Sequence, residues 1–123
     1  MMIKRIYGMQ KLLKYWQKKL DLMDWHIVLE DESPLCNFIL KDVQGETEWD
    51  TTHKCAVIRI IREEEYGKRI LPFVKEQVLI HELLHIKFAM LWGNNTDIQN
   101  DLLHQQIESL ARTLYEVHKK CKQ

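Results

Sequence analysis

Val78-Leu79-Ile80-His81-Glu82-Leu83-Leu84-His85-Ile86 sets two histidines and a glutamate inside an apolar run, and its reading decides the rest of the chain. The run belongs to a longer pattern, Phe73 to Trp92, whose apolar spacing predicts an α-helix with Pro72 suited to its first turn and Gly93 to its stop. Residues four apart on a helix lie one above the other, so His81 and His85 can offer two imidazoles to one metal ion, with Glu82 beside them. Val78, Leu79, Leu83, Leu84 and Ile86 make the same helix the central core element. Two imidazoles and a carboxylate are costly to bury there without a metal or another partner.

Downstream, Asn94-Asn95 completes a turn, and Thr96 with Gln99 three residues on forms a capping box that opens a last helix running to about Lys119. Its apolar stripe, Leu103, Ile107, Leu110, Leu114 and Val117, is expected to pack inward on the motif helix. His104 lies on the flank of that stripe with Glu108 one turn further on, so a returning helix can bring both to His81 and His85. Catalytic zinc takes three protein ligands and keeps one position open. His81, His85 and His104 supply such a set, with Glu108 orienting a ligand imidazole. Glu108 as third ligand is chemically sound as well, although helical phase favours His104. Asp97 and Asp101 read as first-turn residues favoured by the helix dipole.

Upstream, Met9, Leu12, Leu13, Trp16 and Leu20 recur at helical spacing with lysines between them, which predicts an amphipathic helix over about 8 to 21. Trp25 to Leu29 reads as a first strand, ended by the turn cluster Glu30 to Pro34. Phe38-Ile39-Leu40 reads as a short second strand, closed by a turn at Gln44-Gly45. Lys54 to Ile61 is the clearest strand. Its one face, Ala56, Ile58 and Ile60, is apolar and the other carries Arg59, as in a half-buried or edge strand. Arg62 to Lys68, with the acidic run Glu63-Glu64-Glu65 and Gly67, reads as a solvated loop. The expected class is α+β, a small mixed or antiparallel sheet of about three strands packed on the N-terminal helix, the motif helix and the C-terminal helix.

A length of 123 residues favours a single domain over 1–123, since a chain of this size buries roughly two thirds of its unfolded surface. Eighteen basic side chains balance eighteen acidic ones, so the field needed to neutralise phosphates is lacking and nucleic acid is not an expected ligand. Every apolar stretch is broken by charge, as Lys87 breaks the one after His85, and no bilayer span is expected. Met1 to Gln10 has neither a sustained apolar run nor a small-residue cleavage site, and no secretory signal is expected. Cys36, Cys55 and Cys121 are odd in number and scattered, which favours reduced thiols in a cytoplasmic setting and argues against a cysteine metal site.

His81-Glu82-Leu83-Leu84-His85 matches the HExxH signature of zinc-dependent peptidases, in which the glutamate takes a proton from a metal-bound water. With the strand at Ala56 to Ile60, Trp25 in an earlier strand and the closing segment His104-x-x-Ile107-Glu108-x-Leu110-Ala111, the chain resembles minimal zincin-like metallopeptidases of phage and mobile elements. It is distantly similar to the regulatory metallopeptidases that cleave phage and mobile-element repressors. Those relatives tend to hold a glutamate ligand at the position of His104; histidine there resembles the SprT-like zincins instead.

The resemblance implies one Zn2+, a zincin-like fold and hydrolysis of a protein or peptide, with Glu82 as general base. An extended substrate is expected along an edge strand near 54–60. Tyr115, His118 and His53 are candidate oxyanion donors, each more often a packed or surface residue in such a position. Two other classes fit the same letters: a zincin-fold metal-binding or regulatory module without turnover, against which the intact Glu82 argues, and a metal-free helical interaction domain.

Overall fold

Met9, Leu13 and Trp16 recur at three- and four-residue steps and are buried along one side of α1, Met2–Lys19. The helix ends in a Schellman turn. Leu22 N–H donates to the Gln17 carbonyl at 2.7 Å, Asp21 N–H donates to that of Lys18 at 3.2 Å, and Asp21 takes the left-handed φ of 58°. Gln17 Nε2 then donates to the carbonyls of Leu22 and Trp25, aiming the chain into β1, His26–Ser33. This computed structural model describes residues 2–40, 43–66, 72–91 and 97–121, and of residues 2–7 the backbone only.

β2, Gly45–Asp50, and β3, Cys55–Ile61, form an antiparallel pair registered from Asp50 with Cys55 to Gly45 with Ile60. The Asp50 carboxylate accepts the N–H groups of Thr52 and His53, and Lys54 closes the turn at a φ of 52°. β1 pairs parallel with β3 on its other side, His26 with Cys55 through Glu30 with Arg59, so the order is β1-β3-β2. One helical turn, α2 (Glu63–Tyr66), leads on to α3 (Lys75–Lys87), a 3-10 turn at Ala89–Leu91 and α4 (Asp97–Cys121). The fold is α+β, a three-stranded mixed sheet with four helices.

Helices α1 and α3 pack on the sheet, and α4 packs on α3. Ile58 and Ile60 of β3 share one fully buried cluster with Leu79, Ile80 and Leu83 of α3. The opposite side of β3 carries Arg59, whose Nε, Nη1 and Nη2 pair with Glu30 of β1 and with Glu46 and Glu48 of β2 at 2.9, 2.9 and 2.6 Å. That guanidinium ties both edges of the sheet to its centre.

Several expectations change, and the first strand runs on through Glu30, Asp31 and Glu32 to Ser33, where a turn is expected. The strand at 54–61 is central, not an edge: its backbone is paired on both sides, so an extended peptide has no place along 54–60. Phe38 to Leu40 is not a strand. Ile39 and Leu40 instead donate their N–H groups to the Glu46 carboxylate, and the strand begins at Gly45, where a turn was expected. Glu63 to Tyr66 is helical rather than loop, with Glu65 accepting the Leu35 N–H at 2.7 Å. On α4 the inward face is Leu103, Ile107, Ala111, Leu114 and Tyr115, while Leu110 and Val117 are exposed. That rotation turns His104 and Glu108 toward α3. Pro72 precedes α3 without entering its first turn, since Val74 is the cap. The expectations for Gly67, Trp92, Gly93, Asn94, Asn95 and Thr96 lie outside the described residues. Among the described residues, no helix is long and apolar enough to cross a membrane.

Candidate metal centre

Helix α3 turns its apolar positions to the sheet and α1, which leaves the face bearing His81 and His85 to meet α4 and β2. The two Nε2 atoms face each other at 3.1 Å. His104, from α4, brings its ring centroid to 5.0 Å from that of His81 and 5.5 Å from that of His85. One nitrogen from each of the three rings lies within 4.8 Å of the others, close enough to hold one metal ion. Two imidazole nitrogens each about 2.0–2.1 Å from a tetrahedral zinc stand about 3.3–3.4 Å apart, and the α3 pair is within a few tenths of an ångström of that.

Glu108 stands one turn beyond His104, and its Oε2 accepts from His81 Nδ1 at 2.8 Å. The carboxylate fixes the His81 tautomer and leaves Nε2 pointing into the cluster, the arrangement by which a carboxylate orients a ligand imidazole. Burial alone lowers the His81 pKa, but the hydrogen bond to Glu108 and the charges of Glu82 and Glu108 outweigh it and hold it above its ordinary value. His85 goes the other way, pushed down to about 3 by burial and by the positive charge of His81 and His104. Two ring nitrogens facing at 3.1 Å need one proton between them.

A metal ion must displace that proton. Affinity is therefore expected to rise by about tenfold per pH unit while His81 is protonated and to level off above its pKa, with about one proton released per ion bound. Titration calorimetry between about pH 5 and pH 8, in buffers of differing ionisation enthalpy, reads both quantities. An affinity independent of pH would remove His81 from the ligand set.

Glu82 reaches β2 and is buried, 5% exposed. Its Oε1 accepts from Thr47 Oγ1 at 2.7 Å. Burial raises its pKa, against the lowering effect of His81 and of the Thr47 hydrogen bond. Trp49, two residues further along β2, lies nearly parallel to the His85 ring, 15° apart at 6.4 Å. Thr47 and the wall formed by Trp49 stand outside the residues that the sequence motifs single out. The alternation Gly45, Thr47, Trp49 against Glu46, Glu48, Asp50 was the signal that could have revealed a strand there.

These groups line a cleft of about 470 Å³ together with Leu40, Val43, Tyr66 and Val78. Tyr115 packs against the core and does not line the cleft. His118 is spent on Glu76 at 2.5 Å, and His53 on Asp50 at 2.7 Å at the exposed hairpin turn. None of the three candidate oxyanion donors therefore stands in the cleft. His26 is exposed, and Cys36, Cys55 and Cys121 are exposed free thiols. No protein-family model, characterised protein or solved structure matches the chain.

Gly45 marks the closest approach of β2 to α3. A Cβ there would stand 2.8 Å from Val78 Cγ1, 3.0 Å from the Arg59 carbonyl and 3.4 Å from Glu82 Cγ. Gly45→Ala is expected to lower stability by about 1–3 kcal/mol, as overpacking does, because the carbonyl belongs to the central strand and cannot give way. Urea unfolding measures this; a loss under about 0.5 kcal/mol would mean that β2 and α3 separate at little cost.

Proposed function

We propose that the protein is a zinc-dependent metallopeptidase with a zincin-like arrangement of helices on a small mixed sheet. His81, His85 and His104 hold the ion, Glu108 orients His81, and Glu82 is the general base. The observation that carries this reading is the convergence of three imidazoles from two helices beside a buried carboxylate at the head of an open cleft. A structural zinc site is closed by four ligands and has no use for such a base.

When bound, zinc supplies Lewis acidity to a water molecule and to the scissile carbonyl. Glu82 takes the proton of the attacking water and returns it to the departing amine nitrogen, as the new C–O bond replaces the C–N bond. Burial suits Glu82 to the return step, because it raises the carboxyl pKa toward the range in which a proton is both accepted and released. His81 keeps its Nδ1–H on Glu108 throughout.

Among the described residues no strand pairs with the outer edge of β2, and Leu40 and Val43 flank the cleft beside it. An extended peptide would add to β2 by main-chain hydrogen bonds, in place of the paired segment 54–60. The test is cleavage of an unstructured peptide library by the zinc-loaded protein. Cuts that vanish on chelation and return with zinc support the reading. No cleavage by protein carrying about one zinc per chain would leave a metal-binding module without turnover.

A further inference from the structure

β2 meets α3 with every second side chain. Gly45 lies against Val78 and the Glu82 stem, Thr47 bonds the Glu82 carboxylate, and Trp49 faces His85. A glutamate side chain has three torsions to settle, and a general base is effective only with its oxygen held within hydrogen-bond reach of the proton it takes. Adjacency to His81 on α3 fixes only where the Glu82 chain starts. The remaining restraint comes from β2, thirty-five residues away in sequence. Gly45, where a Cβ would stand 3.4 Å from Glu82 Cγ, lies close against the methylenes, and the Thr47 hydroxyl, 2.7 Å from Oε1, confines the head. Thr47 is itself stiff, being β-branched and on a strand paired through Ile58.

We propose that Thr47 is a positioning residue: its hydroxyl engages Oε1 of Glu82 and so presents Oε2 as the oxygen that meets the water. Among the described residues, Oε2 has no hydrogen-bond partner of its own. The catalytic consequence rests on the metallopeptidase reading above, whereas the placement of the carboxylate does not. Valine at 47 would keep the branched shape and remove the donor, leaving a buried carboxylate oxygen unpaired. Serine would keep the donor.

Zinc-loaded variants of the whole chain separate these. Thr47→Val is expected to retain about one zinc per chain and a KM within about twofold of the parent while kcat falls by about tenfold to a hundredfold, and Thr47→Ser to stay within about threefold. A Thr47→Val protein with parental kcat, or a Thr47→Ser protein as impaired as Thr47→Val, would overturn the proposal. A second measurement needs no turnover: urea unfolding of the metal-free parent, Thr47→Val, Glu82→Met and the double variant. The hydroxyl and carboxylate are expected to couple by about tenfold in the unfolding constant, and coupling below about twofold would overturn the placement. Strong coupling in the metal-free proteins, together with a zinc-loaded parent that cleaves nothing, would uphold the placement and remove the peptidase reading.

Discussion

Glu82→Gln is expected to lower kcat by about a hundredfold to ten-thousandfold, the range that a general base supplies, and to leave zinc content at about one per chain. Glutamine fills the same volume and can still accept from the Thr47 hydroxyl, so the wall between α3 and β2 survives. What it cannot do is hold a proton taken from water. KM should move little, since the amide replaces a group that acts on the reacting water and leaves the edge of β2 intact. Chelation-sensitive turnover in the Glu82→Gln protein near the parental level would refute the general-base role while leaving the metal site in place.

The same substitution has a second readout in the metal-free protein. Burial raises the Glu82 pKa on folding. A group shifted upward stabilises the fold below its unfolded pKa, and that contribution is lost as pH rises through its folded pKa. Above the unfolded pKa the buried carboxyl therefore burdens the metal-free fold, and an uncharged amide does not. Metal-free Glu82→Gln is expected to be more stable than the parent at about pH 7–8, with the difference closing toward about pH 4. Thermal unfolding across that range measures it, and equal stability at every pH would show that Glu82 is solvated in the metal-free state. Such a fold is held together in spite of its site, the pattern expected where function sets a residue that packing alone would exclude.

The helical half of the site was legible because helices write their faces at short range. His81 and His85 are four apart, His104 and Glu108 are four apart, and once two helices are recognised little freedom is left in how they meet. Even so, the hydropathy pattern puts the inward face of α4 one step away from where it lies. Leu110 and Val117 look like core residues in a hydropathy pattern, but Ala111 is the residue that lets α4 approach α3, and its small side chain gives a weak signal. The sheet was less legible. Glu46, Glu48 and Asp50 make β2 read as a polar segment, and two of them, Glu46 and Glu48, answer Arg59 across a strand boundary that the sequence does not display. Strand order hid for a related reason: a half-polar strand such as 55–61 is compatible with an edge or a centre, and only its two pairings decide between them. Thr47 was invisible for want of its strand, and with it the restraint on Glu82.

His85→Ala is expected to weaken zinc binding by about a thousandfold or more, beyond the tenfold to hundredfold that loss of an orienting group costs. His85 is the imidazole best prepared to bind: its pKa of about 3 keeps its lone pair available at neutral and mildly acidic pH, and Trp49 faces its ring. His104→Ala removes the third nitrogen, from an exposed position on α4, and should cost less than His85→Ala but more than Glu108→Gln. Glu108→Gln leaves an oxygen able to accept from His81 Nδ1 and should fall within the tenfold to hundredfold range. Thermal shift makes the order visible, because zinc at about a hundred times its dissociation constant stabilises the parent by about 2.7 kcal/mol, and a thousandfold weaker site yields almost nothing at the same concentration. A Glu108 variant that loses zinc more completely than the His104 variant would exchange their roles, making the carboxylate the third ligand and the histidine its neighbour. Zinc held equally by all three variants would place the ion elsewhere and leave the 3.1 Å pair of imidazoles as a proton-sharing contact of the core.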